Sequence, residues 1–173
     1  MEYINKNPKI FIISGKAKSG KNTLANMICD FYKDKKCIQI SYAHYLKKYV
    51  KNITGWDGDE SNKQRDLLQS IGIDLIKNKI DKHLLIRRVI EDIKVYSYFY
   101  DIIVVTDARL LDEIEIPKKY FNVITIRINN SNNNLTNEQK NHITETNLDN
   151  YEQFDYVIDD LLNINKILEE LWL

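Results

Sequence analysis

KIFIISGKAKSGKNT, residues 9–23, runs from four apolar side chains (Ile10, Phe11, Ile12 and Ile13) into Ser14-Gly15 and reaches Gly20-Lys21 five residues later. The apolar run predicts a strand, about Lys9 to Ser14, covered on both faces as in the centre of a parallel sheet. After Lys21 the apolar positions Leu24, Met27, Ile28 and Phe31 recur at three and four, which predicts a helix to about Tyr32. Strand, glycine-rich loop and helix in that order cradle the phosphates of a bound nucleotide. The chain has five glycines, and two stand at the spacing this loop needs. Gly15, Lys16, Ala17, Lys18, Ser19 and Gly20 supply candidate N–H groups for phosphate oxygens. The Lys21 ammonium is the candidate to reach the β- and γ-phosphates. Asn22 stands where a hydroxyl ordinarily ligates magnesium, and Thr23 follows as the alternative, through water. Lys16 and Lys18 either add charge beside the phosphates or are solvated.

Outward from the loop, strands and helices alternate. Strands are expected at Cys37–Ser41, Asp101–Thr106, Val123–Ile128 and Tyr156–Ile158. Helices are expected at Ala43–Ile53, Asn62–Asn78, Asp81–Tyr96, Leu110–Lys119 (interrupted near Pro117) and Leu161–Leu173. This is an α/β pattern, a P-loop NTPase with a mostly five-stranded parallel sheet between two helical layers. Ligands of such folds sit beyond the carboxyl ends of the strands, where Ser14, Ser41, Asp107 and Arg127 fall. One domain is expected over residues 1–173, without repeats. The asparagine-rich stretch 129–142 reads as a loop or flap over the site.

Composition excludes other classes. With 43% hydrophobic and 29% charged residues in 173, the chain can bury an ordinary core. Its formal net charge of zero argues against a nucleic-acid polymer or an anionic membrane surface as partner. The apolar runs are too short to span a bilayer and the N-terminus lacks a signal-peptide core, so a cytoplasmic protein, monomer or homodimer, is expected. Cys29 and Cys37 fit no zinc spacing and read as reduced core thiols.

Several other positions carry candidate chemistry. Asp107-Ala108-Arg109 ends a buried strand beside the loop. Asp107 is a candidate to hold magnesium through water or to orient Arg109, and Arg109 to bind a phosphate bidentately. Their structural alternative is an ion pair capping the next helix. Arg65, Gln69 and Gly72, at i, i+4 and i+7, share a helix face, with Arg65 a phosphate contact and Gln69 a base or sugar contact. A solvated polar face is the alternative. Asn78-Lys79-Ile80-Asp81 spells the guanine-reading N-K-x-D, but it ends a helix and no D-x-x-G precedes it, so chance explains it better. His142 and Glu145 lack a third metal ligand. Tyr42 and Tyr45 are candidates to stack on a base.

Taken together, these residues resemble a family. SGKAKSGKNT looks like the loop of phage and bacterial deoxynucleoside monophosphate kinases. Ser41-Tyr42-Ala43 with Leu46-Lys47, Arg65 to Gly72 (RDLLQSIG), Asp107-Ala108-Arg109 with Glu113, His142-x-x-Glu145, Leu148-Asp149 and Phe154 to Ile158 (FDYVI) are similar to its later segments in order. Animal-type phosphomevalonate kinases are similar in the same places. The resemblance implies a nucleoside monophosphate kinase-like fold, with Mg2+ and ATP as the phosphoryl donor and a deoxynucleoside monophosphate as acceptor. It implies an ATP site over residues 15–23 with Arg127, and an acceptor site at Lys47, Arg65, Gln69, Arg109 and Glu145. Lys21, Arg109 and Asp107 would be catalytic, with Thr23 and Asp107 at the metal. Lys140 is a further candidate for neutralising charge. A phosphomevalonate acceptor and a non-catalytic ATP-binding module stay open as alternatives.

Overall fold

Lys9–Gly15, the apolar run that leads into the loop, is β1, the middle strand of a five-stranded sheet. The other strands are β2 (Cys37–Ile40), β3 (Ile102–Ala108), β4 (Val123–Ile128) and β5 (Tyr156–Ile158). Their order is β2-β3-β1-β4-β5, and every neighbouring pair is parallel. The computed structural model describes residues 3–56, 65–129, 142–161 and 164–172. The helices are α1 (Lys21–Phe31), α2 (Tyr42–Thr54), α3 (Arg65–Gln69), α4 (Leu84–Tyr96), α5 (Leu111–Lys118), α6 (Ile143–Thr146) and α7 (Ile164–Trp172). A π-helix, Ser70–Ile80, continues α3 directly.

Side chains of a strand alternate between faces, and β1 sorts its own accordingly. Ile10 and Ile12 join a core with Tyr42 of α2, Val89 and Ile93 of α4 and Ile114 of α5. Phe11 and Ile13 join the opposite core, with Leu24 and Ile28 of α1 and Ile164 and Leu168 of α7. A third, smaller core lies apart from the sheet, where Val50 and Trp56 meet Leu68 of α3.

Two departures from the sequence reading position the site. Ile12 pairs with Val105 but Ser14 pairs with Ala108, so Thr106 and Asp107 together stand opposite Ile13. This bulge carries β3 past Thr106, where the sequence reading ended it, and re-aims the side chains at its end. The helix expected over Asn62–Asn78 is α-helical only to Gln69. Beyond it the i→i+5 ladder widens the turn, so the i+7 spacing that grouped Arg65 with Gly72 does not hold there.

A third departure concerns the cysteines. Cys29 and Cys37 are joined in a disulfide, not held as free thiols. The last turn of α1 and the first residue of β2 lie side by side, with Cα atoms 5.6 Å apart, inside the range a disulfide spans. No helix among the described residues is long and apolar enough to cross a membrane.

Candidate active site

The loop between β1 and α1 is held by backbone fit. At Gly15 a Cβ would lie 2.5 Å from Ser19 Oγ and 2.9 Å from the Ile128 carbonyl oxygen, so only glycine closes the strand end against β4. Gly20 holds φ of +97°, which glycine adopts without strain, and turns the chain into α1. The first turn of any helix leaves N–H groups without intrahelical partners. No side chain caps α1 and no acidic residue stands in its first turn, an arrangement that favours an anion at these N–H groups. Lys21 is buried beside them, its Nζ donating to the Gly15 carbonyl at 2.8 Å and the Lys16 carbonyl at 2.6 Å. Burial first, and the Arg109 charge second, bring its pKa from 10.5 down to about 7.

The bulged end of β3 supplies the next groups. Asp107 Oδ1 accepts the Tyr42 N–H at 2.8 Å and Oδ2 the Ala43 N–H at 2.9 Å, so the carboxylate caps α2. Desolvation pushes its pKa up against those two N–H groups. Glu113 is buried in α5, and its Oε2 accepts the N–H groups of Arg109 (2.7 Å) and Leu110 (2.9 Å). That bond fixes the backbone that carries Arg109. Burial raises the Glu113 carboxyl from 4.5 to about 7. Arg109 pairs with Glu145, whose other oxygen accepts the Ala17 N–H of the loop at 2.9 Å.

These groups border a cavity of about 920 Å3. Residues 17–23 form one end, and Thr23 and Asn22 are exposed there. Asp107, Arg109, Glu113 and Glu145 stand in the middle. Leu46 and Lys47 of α2, with Leu68, Gln69, Gly72, Ile73 and Ile76, wall the far end, where Lys77, Asp81 and Lys82 also open. Gln69 Nε2 donates to Thr144 Oγ1 at 3.4 Å.

Most of the sequence-predicted site residues meet at this cavity, and some do not. Arg127 does not line it. Its guanidinium donates to Ser14 Oγ (3.2 Å) and Asp149 Oδ1 (3.1 Å) and lies over the Phe154 ring. Lys16 turns the same way, to Asp149 Oδ2 at 3.0 Å. The Arg65 side chain and Lys140, with 130–141 of the expected flap, fall outside the described residues. Tyr42 is buried with its hydroxyl on the Glu113 carbonyl at 2.6 Å, and Tyr45 donates to Asp92, so neither ring is free to stack on a base. Thr144 went unseen in the sequence because only through-space packing brings it to Gln69. The hold of Glu113 on Leu110 is half of a capping box, and a leucine at the N-cap hides that signal.

A family model described as deoxynucleotide monophosphate kinase matches residues 31–172. No curated protein matches the chain. Among solved structures, the protein APE1195 is 14% identical at a TM-score of 0.53, the match covering 98% of this chain and 97% of that one. A gluconokinase from Sinorhizobium meliloti is 9% identical at a TM-score of 0.51, covering 96% and 97%. A shikimate kinase from Aquifex aeolicus is 14% identical at 0.48, covering 94% and 93%. At these identities the first two likenesses bear on the fold alone, which is that of P-loop kinases. The match from Phe31 to Trp172 settles the lineage: the chain is a phosphotransferase and belongs to the deoxynucleotide monophosphate kinase family.

Proposed function

We propose that this kinase moves the γ-phosphoryl group of ATP to a deoxynucleoside monophosphate. The observation that carries the reading is the single cavity. It has an uncapped helix terminus and a buried lysine at one end, and an apolar wall edged with amide and ammonium groups at the other. A donor triphosphate fits the first end and a base with its sugar the second, with their phosphates meeting near Arg109.

The reaction asks for positioning and charge neutralisation more than for covalent chemistry. An anionic oxygen of the acceptor phosphate attacks the γ-phosphorus, and the bond to the β–γ bridging oxygen breaks, releasing ADP. The attacking oxygen carries no proton, so no general base is required. Loop N–H groups and Lys21 hold the donor phosphates. Arg109, steadied by Glu113 through its own backbone, neutralises charge between the two phosphates. Lys47 and Arg65 bind the acceptor phosphate, and Gln69 meets the base or sugar.

The residues present fit Mg2+. This ion keeps several waters and takes one or two protein oxygens beside substrate phosphates. Thr23 and Asp107, which both line the cavity, would supply such oxygens to the ion. Bound with ATP, it would lower the charge of the triphosphate, held by the Thr23 hydroxyl and the Asp107 carboxylate through water.

A panel assay tests the reading, with ATP and magnesium, each deoxynucleoside monophosphate, phosphomevalonate, and no acceptor. Turnover with one or more deoxynucleoside monophosphates is the expected result. Turnover with phosphomevalonate alone would overturn the acceptor, and ATP binding without turnover would overturn the catalytic reading.

A further inference from the structure

Glu145 is 4% exposed and stands on the four-residue helix α6. One carboxylate oxygen accepts the Ala17 N–H of the loop at 2.9 Å, and the other holds the Arg109 guanidinium. A backbone N–H of the loop and a guanidinium are also the two partners a phosphate oxygen pair would seek there. Lys21 is folded back on the loop carbonyls at the same time. The three strongest phosphate-binding groups are thus satisfied from within the chain.

The segment that carries Glu145 is braced on several sides. Asp149 holds Lys16 of the loop at 3.0 Å, Asn147 Oδ1 accepts the Leu111 N–H at 2.7 Å, and Thr144 meets Gln69 at 3.4 Å. These contacts fix the segment, and from it the Glu145 side chain holds Arg109 beside the loop. The plain alternative is a buried ion pair that only supports the fold.

We propose that Glu145 is a positioning residue whose carboxylate occupies a phosphate's place in the ligand-free protein. It keeps Arg109 and the Ala17 N–H paired until a donor phosphate takes over both. This rests on the reading of residues 15–23 as the donor site. The exchange lowers donor affinity, because the phosphate that takes this place displaces an anion already bound. It also delivers Arg109 to the transferring group only when the loop is filled.

The test is calorimetric titration of the full chain with tripolyphosphate, a probe that needs no acceptor and no turnover. Glu145→Gln keeps an oxygen for the Ala17 N–H and frees Arg109, so tripolyphosphate should bind about tenfold tighter. Glu152→Gln removes an equal charge from an exposed position further along the same segment, leaves the Ala17 N–H and Arg109 paired, and should shift the affinity less than twofold. Equal tightening in both variants, or no tightening in Glu145→Gln, overturns the proposal. If the unaltered chain binds no tripolyphosphate, the donor site itself is misassigned and the proposal falls with it. Should Glu145→Gln fail to fold, NMR titration of the unaltered chain decides. The Ala17 N–H and Arg109 side-chain signals should move together to saturation, and either one staying still overturns the exchange.

Discussion

The two ends of the cavity, proposed above for donor and acceptor, are built differently. The loop hangs from β1, the central strand, and Ile13, Ser14, Gly15, Ala17 and Lys21 around it are all buried. It offers backbone N–H groups, whose directions are set once the strand and α1 are in place. The acceptor wall stands on α2, α3 and the π-helix, over the small core of Val50, Trp56 and Leu68. Each end keeps one buried polar atom with no hydrogen-bond partner among the described residues, Ser19 Oγ in the loop and the Trp56 indole N–H here. A triphosphate presents the same oxygens whatever base it carries, so a rigid backbone receptor suits it. Acceptors differ in base and sugar, and side chains are where such differences are read.

The sharpest way to break this contrast is Lys21→Ala. Removing the buried ammonium beside the loop's N–H groups should lower kcat by about 10³-fold or more. The melting temperature should stay level or rise, since a buried ammonium is lost. Near-normal kcat would remove the loop from the donor role.

Asp107→Ala comes next, because Asp107 stands where the two ends meet. Its removal strips the acceptors from the Tyr42 and Ala43 N–H groups. A buried donor left unpaired costs about 1–3 kcal/mol, and each kcal/mol lowers Tm by roughly 2–4 °C at this chain length. Donor and acceptor KM should both rise, since α2 carries Lys47 and the bulge carries Arg109. A change in the donor constant alone would show that Asp107 serves one end only.

The pH dependence separates the ends by charge. The Lys21 pKa is depressed to about 7 by burial, and bound phosphates favour its charged form. Above pH 7 donor binding must therefore take up a proton, and affinity falls as pH rises. Between pH 7.5 and 8.5 the donor Kd should weaken roughly five- to tenfold, above the range where a terminal phosphate itself ionises. For the ligand-free fold the sign is opposite. The unfolded chain holds the Lys21 proton up to about 10.5 and the native chain only to about 7, so stability rises with pH across that window. Lys21→Arg keeps its charge and should flatten the binding profile; a slope that persists in it would exclude Lys21 as the titrating group.

Much of the geometry of the loop end was legible in the sequence, because it is local. Ile10 to Ile13, Gly15, Gly20 and Lys21 lie within one strand–loop–helix unit, and periodicity and spacing suffice. The order of elements, and with it the parallel sheet, follows from the same patterns. What was not legible acts across the chain. Asp107 is aimed by a bulge that only strand pairing reveals, and Glu145 reaches Ala17 from 128 residues away. Arg127 stands near a strand end as expected, yet Ser14, Asp149 and Phe154 draw it away from the cavity. The cysteine pair depends on how α1 packs beside β2, and no spacing rule encodes that. The acceptor wall was half legible: Gln69 and Gly72 both line it, but the π-helix that sets their spacing leaves no periodic mark.

The mildest test acts on that wall. Gly72 is buried, and a Cβ there would lie 3.0 Å from Leu46 Cδ2, the flexible end of its side chain. Leu46 can yield, so Gly72→Ala should fold, and alanine favours a helix over glycine by up to about 1 kcal/mol. The displaced leucine moves into the acceptor end and narrows it. Acceptor KM should rise about threefold, with donor KM and kcat unchanged, because the loop shares no core residue with the α2–α3 cluster. Steady-state kinetics with each substrate varied in turn reads this directly. Equal changes in both KM values would mean that the wall and the loop move as one body, and the division of labour between backbone and side chains would have to be abandoned.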